Sequence, residues 1–280
     1  MLKYYPPAKL NLFLDILAKR QDGYHDILSL MVKVNLCDRL IIEKESPGKI
    51  ILEVEGDAPC GEENICFRAA KLMIDKFGIK NGIKIKLIKN IPVQSGLGGA
   101  SSDCAGVIKL INQLFSLGLL EEHQMEIGLE LGCDVPFFIQ SESWAIVEGK
   151  GEKIKKLFPD FSFYALVIVP STGISTSEAY SLWNPSLTGS RWRDKIKFCE
   201  SQQINLNFLK DISYNIFEYV VKNSICEEYR QMLFENGAEV ARMTGSGSAI
   251  YGIFSDKQKA EKAGEKLRRK GYRVFLVEPV

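Results

Sequence analysis

Ile91-Pro92-Val93-Gln94-Ser95-Gly96-Leu97-Gly98-Gly99-Ala100-Ser101-Ser102 is the stretch around which the chain is organised. A strand-like segment, residues 83–88, precedes it. Cys104, Ile108, Ile111 and Phe115 follow at helical spacing, so the glycines sit between a strand and a helix. Gly96, Gly98 and Gly99 let the backbone turn tightly and approach a ligand. The N–H groups of the next helical turn are unpaired and electropositive, which suits a phosphate. Ser101 and Ser102 add hydroxyls for a phosphate oxygen, a metal-bound water or a helix cap. No lysine follows the glycines, so the Walker-A pattern is absent, and the spacing is not GxGxxG. A glycine-rich turn with a serine N-cap accounts for the same residues, so residue chemistry leaves both readings open.

The surroundings narrow the class. The chain has 280 residues, with 46% hydrophobic and 25% charged content and a net charge of +1. Those values fit a soluble globular protein and give no electrostatic case for nucleic acid or an anionic membrane. The opening residues lack the apolar core of a signal peptide. The longest apolar run, residues 163–169, is too short to span a bilayer. Seven cysteines without a CxxC pair, and two histidines, argue for reduced thiols in a cytoplasm and against a histidine-rich metal site.

Residues 9–17 alternate: Leu10, Leu12, Leu14 and Ile16 share one face, and Lys9, Asn11, Phe13 and Asp15 the other. Lys9 and Asn11 thus project side by side. Asp22-Gly23 reads as a turn into a return strand over 27–34, with further strands near 39–43 and 49–55. Asn64 opens a helix that Gly78 ends. Lys89 falls on the apolar face at the mouth of the glycine loop, whereas Lys84 and Lys86 read as solvated. A helix over 121–131 stops at Gly132, just before Asp134. Residues 143–147 and 152–156 read as a hairpin, and 163–169 as a buried strand. Ser175-Thr176-Ser177-Glu178 fits a capping box. Helical stretches are expected at 191–199, 214–222 and 225–235. Strands at 239–243 and 249–254 flank a second loop, Thr244-Gly245-Ser246-Gly247-Ser248. A helix through Ala260, Ala263 and Leu267, with a charged outer face, and a strand over 272–277 close the chain. The class is α+β, with a boundary expected near residue 155 between domains at 1–155 and 156–280.

A glycine loop, a second Gly-Ser loop, a Lys/Asn face and a lone acid share one explanation in phosphoryl transfer, where catalysis is positioning plus positive charge. Each taken alone also fits a plainer role: Asp134 a cap, Lys9 a solvated strand residue, and residues 245–248 a hairpin connection.

These motifs resemble the GHMP kinases. Residues 92–102 (PVQSGLGGASS) resemble that superfamily's ATP loop. Pro7-Ala8-Lys9-Leu10-Asn11-Leu12 and residues 244–248 resemble its first and third motifs. The run from Pro7 through Asp22-Gly23-Tyr24-His25 to Met31 is similar to the branch acting on a cytidine-linked methylerythritol in the non-mevalonate isoprenoid pathway. The resemblance implies a ribosomal S5 domain 2-like N-terminal domain, a ferredoxin-like C-terminal domain, ATP with Mg2+, and CDP-methylerythritol as acceptor. It implies Asp134 as base with Lys9 beside it as the catalytic pair. Asn64, Lys89, residues 92–102 and Asp103 would lie around the nucleotide. Asn11, Tyr24, His25, Tyr180, Gly245 and Ser246 would meet the substrate, with His25 reading the cytosine edge and Tyr24 stacking on its face. It assigns no protein ligand to the metal.

Overall fold

The computed structural model describes residues 1–170, 175–187, 204–221 and 224–280. The helical stretch expected at 191–199 lies outside them. The described strands are β1 (Leu2–Tyr4), β2 (Pro7–Lys19), β3 (His25–Cys37), β4 (Arg39–Glu45), β5 (Ile50–Glu55), β6 (Gly82–Ile88), β7 (Trp144–Gly149), β8 (Lys153–Leu157), β9 (Tyr164–Ile168), β10 (Tyr214–Asn215), β11 (Val240–Met243), β12 (Ile250–Phe254) and β13 (Val274–Val277). The described helices are α1 (Ile65–Phe77), α2 (Gly99–Phe115), α3 (Glu121–Leu131), α4 (Val135–Ile139), α5 (Thr176–Ser181), α6 (Leu206–Ile212), α7 (Phe217–Val220), α8 (Ser224–Glu235) and α9 (Lys257–Arg269).

Two compact units emerge. The first comprises Met1–Ala8, Leu36–Val93 and Gly98–Ser141. Its sheet has the order β1-β4-β6-β5, with β5 parallel to β6 and the other pairs antiparallel. Leu40, Ile42, Ile83, Ile85 and Leu87 fill the sheet's inner face. Lys84 and Lys86 point outward to Glu53 and Glu55, as period-two alternation requires. Asn64 caps α1 by accepting from the Cys66 N–H at 2.8 Å, and left-handed Gly78 ends it. Gly106 lets α2 lie close on β4, because a β-carbon there would come 2.6 Å from Leu40 Cδ1.

The second unit comprises Lys9–Asn35, Gln94–Leu97 and Glu142–Val280. One sheet runs β10-β2-β3-β7-β8, the other β11-β12-β9-β13. In the second sheet every pair is antiparallel, and α8 and α9 pack on it. Its strand order is the ferredoxin-like arrangement that the resemblance implied. The helix α9 buries Ala260, Ala263, Gly264 and Leu267 and turns its charges outward.

β2 is buried from Pro7 to Ile16 on both faces, which removes the plainer reading of Lys9 as a solvated strand residue. Two expectations need correcting. Ser175 stands at the N-cap of α5 without a side-chain capping bond; its hydroxyl meets that of Ser177 at 2.8 Å instead. The helix read over 214–222 begins as a two-residue strand, Tyr214–Asn215, parallel to β2, and among its described residues only Phe217–Val220 is helical. Strand pairing at that point overrides a local pattern too short to signal it.

Candidate active site

In the first unit, the glycine loop ends at Gly98, which adopts φ +75° and serves as N-cap of α2 without a side-chain capping bond. The ladder opens with the Ser102 N–H donating to Gly98 O at 3.0 Å, leaving the N–H groups of residues 99–101 outside it. Ser102 Oγ and Asp103 Oδ1 are buried without a hydrogen-bond partner. Unclaimed N–H groups on a 17-residue helix, beside an unclaimed hydroxyl, fit an anionic group such as a nucleotide's phosphates. The loop itself is held in left-handed backbone at Gly96 and at Gln94, which is not a glycine.

Beneath this turn lies a buried triad. The Lys89 ammonium donates to Asp38 Oδ2 and, at 2.7 Å, to Asp103 Oδ2. Asp38 Oδ1 also accepts from the N–H groups of Asn90 and Ile91, fixing the strand-to-loop corner. Burial raises the Asp103 pKa to about 8, against the pull of Lys89, because two carboxylates share one ammonium. Burial works to lower the Lys89 pKa, but Asp103 and Asp38 outweigh it and hold it above the ordinary lysine value. Cys66, in the first turn of the helix that Asn64 caps, is pushed well up by burial and by Asp103.

Asp134 stands at the N-cap of α4 in helical backbone, and its carboxylate makes no capping bond. That leaves the half-buried carboxylate unspent on the helix. A β-carbon on nearby Gly132 would lie 3.9 Å from Ser101 Oγ, so the Asp134 turn adjoins the first turn of α2. Lys109 of α2 ties the two helices by donating to Phe138 O at 2.8 Å, and burial lowers its pKa to about 8.

In the second unit, Lys9 is 3% exposed and Asn11 1%. The Lys9 ammonium donates to Asn11 Oδ1, which also accepts the Gly245 N–H at 2.9 Å. Asn11 Nδ2 donates to Ser29 Oγ at 2.8 Å, and that hydroxyl spends its proton on Phe13 O. Ser29 therefore accepts from Asn11, which orients the Asn11 amide with its oxygen toward Lys9. The two glycine loops meet here. Lys9 N–H donates to Leu97 O at 2.9 Å and Ala249 N–H to Ser95 O at 3.0 Å. Gly96 must lack a side chain, since a β-carbon would overlap the Thr244 carbonyl oxygen.

The His25 ring lies 5.1 Å from Tyr180, tilted by 35°, and 5.3 Å from Trp183, edge-on. Burial and then Lys19 lower the His25 pKa, favouring the neutral imidazole. Thr176 and Ser246 share a hydrogen bond of 3.0 Å, linking the start of α5 to the second loop. Tyr24 is 49% exposed, with the Lys150 ammonium 4.7 Å from its ring centre.

Lys9, Asn11, Gly245 and residues 95–97 thus come together in one unit, as do His25 and Tyr180. In the other, Lys89, Asp103 and the start of α2 come together, with the Asp134 turn beside Ser101. Sequence reading missed Asp38, Ser29, Trp183 and Asn215, none of which carried a local signal, and named Thr244 only as the first residue of the second loop.

Residues 64–142 match the family described as GHMP kinases N terminal domain, and residues 207–273 match GHMP kinases C terminal. The 4-diphosphocytidyl-2-C-methyl-D-erythritol kinase of Acetivibrio thermocellus is 36% identical, covering 98% of this chain and 97% of that protein. Its counterpart in Caldicellulosiruptor bescii is 37% identical, covering 99% and 95%. A crystal structure of 4-(cytidine 5'-diphospho)-2C-methyl-D-erythritol kinase superposes with a TM-score of 0.82 at 30% identity over the full length of both chains. A homoserine kinase from Cytophaga hutchinsonii, 18% identical with a TM-score of 0.78, shares the fold. Motif order, fold and near-full-length similarity together place the chain among the GHMP kinases, in the 4-diphosphocytidyl-2-C-methyl-D-erythritol kinase family.

Proposed function

We propose that the chain transfers the terminal phosphoryl group of ATP to the 2-hydroxyl of 4-diphosphocytidyl-2-C-methyl-D-erythritol, in the non-mevalonate route to isoprenoid precursors. The near-full-length similarity to kinases of that name carries the reading. The acceptor's cytosine is supported by the His25–Tyr180 contact, since a neutral imidazole both donates and accepts while a phenol ring offers a flat face.

In this reading the N–H groups of residues 99–101 hold the nucleotide's phosphates. Asp134 accepts the proton of the 2-hydroxyl, and the Lys9 ammonium stabilises charge spread over the transferred group. Asn11 orients Lys9 through its amide oxygen. Asn64, Lys89 and Asp103 shape the nucleotide side from beneath the loop, and Tyr24, Gly245 and Ser246 lie toward the acceptor. Mg2+, bound on the phosphates, would neutralise part of their charge; among the described residues no group of three or more His, Cys, Asp or Glu side chains is placed to hold a metal ion. No described helix is long and apolar enough to cross a membrane, and we place the reaction in the cytoplasm.

The test is direct. Protein, Mg-ATP and the cytidine-linked alcohol are incubated together, and the acceptor gains the mass of one phosphate. Homoserine and mevalonate as alternative acceptors remain unphosphorylated. ADP release that does not depend on an added alcohol would sink the reading.

A further inference from the structure

Asn215 lies far from the catalytic motifs in sequence and is fully buried, yet its side chain spends its hydrogen-bonding capacity on the second glycine loop and its own turn. Its Nδ2 donates to Met243 O at 2.7 Å and to Gly245 O at 2.9 Å. Its Oδ1 accepts the Phe217 N–H at 3.0 Å. Both amide protons are used, so the amide has one orientation. Its backbone is fixed as well, because Asn215 pairs with Leu14 of β2 and the next N–H, that of Ile216, donates to Leu14 O at 2.9 Å. Glu218, one helical turn on, accepts the Met243 N–H at 2.7 Å. The loop is thus gripped from behind by two side chains of a single short segment.

Gly245 transmits that grip. Its carbonyl is held by Asn215, and its N–H holds Asn11 Oδ1, the atom that receives the Lys9 ammonium. Gly245 has φ +56°, and a β-carbon there would lie 3.1 Å from Lys9 Nζ and 3.0 Å from Gly96 O. The backbone of one residue therefore separates the Asn215 amide from the Asn11–Lys9 pair. An amide suits this post. It gives two donors to two carbonyl oxygens, and unlike a carboxylate or an ammonium it does not titrate.

We propose that Asn215 is a positioning residue for phosphoryl transfer, setting the location of the Lys9 ammonium through Gly245 and Asn11. The inference rests on the reading of Lys9 as the cation of the transfer. A merely structural Asn215 would satisfy the carbonyls at the end of β11 and affect the fold without acting through Lys9, so the experiment must separate the two.

Asn215→Asp keeps size and the acceptor for Phe217 but turns an oxygen toward the two carbonyls. Single-turnover rates are measured for Asn215→Asp, Lys9→Ala and the double variant in the full-length protein. Asn215→Asp is expected to lower kcat about 10- to 100-fold, the scale of a small misplacement of a reacting group. KM for ATP and for the acceptor should stay within about three-fold. In the Lys9→Ala background the same change should cost less than about three-fold, because the group it positions is gone. Equal losses in both backgrounds, or an unchanged kcat with a lowered melting temperature, overturn the proposal. Full turnover by Lys9→Ala alone overturns the underlying reading instead. If Asn215→Asp fails to fold, Asn215→Ser goes through the same cycle. If the Lys9→Ala rate lies below detection, amide exchange decides: the Gly245 N–H must exchange faster in the Asn215 variant while β9 and β12 stay protected, and unchanged exchange at Gly245 overturns the proposal.

Discussion

Lys89 in the first unit and Lys9 in the second are both buried, and the protein anchors them with different chemistry. Lys89 donates to two carboxylates, Asp38 and Asp103, and Asp38 also pins the corner before the glycine loop. Lys9 donates to an amide oxygen whose orientation follows from a chain of donors and acceptors through Ser29 and Gly245. The carboxylate anchor depends on protonation state, and losing its one cation leaves two buried acids. The amide anchor does not titrate, but it depends on the register of a loop contributed by distant sequence. Carboxylates receive one lysine, and an amide set by a distant loop receives the other.

The largest expected effect lies on the amide-anchored side. Lys9→Ala should reduce turnover at least as much as Asp134→Asn, for which about 10²- to 10⁴-fold is the range of a positioned general base. The low end is favoured for Asp134, since in a loose transition state the alcohol keeps its proton until late. The two losses should not add when single-turnover rates of the double variant are measured. Near-normal turnover by Asp134→Asn with normal binding would reduce that residue to the start of a short helix.

On the charged side, Lys89→Met should cost about 3–5 kcal/mol of stability, because it strands buried carboxylates. Denaturant unfolding measures it. A folded Lys89→Met protein with unchanged midpoint but weakened ATP binding would reverse the contrast, making Lys89 a nucleotide ligand first.

The glycine loop crosses both units and separates its own roles. Gly96→Ala forces a side chain into left-handed backbone, costing about 1–3 kcal/mol before the overlap with Thr244 is counted, and its melting temperature should fall. Gly99→Val meets side chains instead, with its β-carbon 2.9 Å from Ile91 Cγ2. It should fold while losing ATP affinity. Equal ATP affinity in folded Gly99→Val would show that the turn holds no phosphate.

His25→Ala should weaken binding of the cytidine substrate by about 1–3 kcal/mol and leave ATP affinity nearly unchanged. Calorimetric titration of each ligand decides, and equal losses for both would make His25 structural.

The last effect is a slope. With its folded pKa raised to about 8 from an ordinary 3.8, Asp103 binds a proton in the native state that the unfolded chain releases. Stability should therefore fall as pH rises between those two values and level off above the upper one. The raised Lys89 pKa contributes throughout that range and is lost only above the ordinary lysine region. Asp103→Asn should flatten the slope between about pH 5 and about pH 8.5, measured by urea midpoints. An equally steep slope in the variant would remove the titrating triad from the comparison.

Legibility in the sequence tracks the range of the interaction. The glycine loop, β2, β6, α1 and α9 were readable because spacing, caps and period are local. Lys9 beside Asn11 followed from alternation alone, whereas the family resemblance assigned His25 and Tyr180 to the substrate without foreseeing their contact. Asp38, Ser29 and Asn215 gave no signal, because each acquires its role from a partner distant in the chain. Asn215 sits in a strand of two residues that exists only because β2 lies alongside it. Two residues are too few to carry a period.

The bond between the Gly245 N–H and Asn11 Oδ1 joins positions 234 residues apart. A ribosome extends the chain from the N-terminus at about 5–20 residues per second, so roughly 10–50 s pass between the emergence of one partner and the other. Until then Lys9 has no second loop to set it, although the first glycine loop and Asp134 have long been made. With Lys9 as the proposed cation of the transfer, a chain interrupted before Gly245 should be silent in phosphoryl transfer, whatever its first half binds.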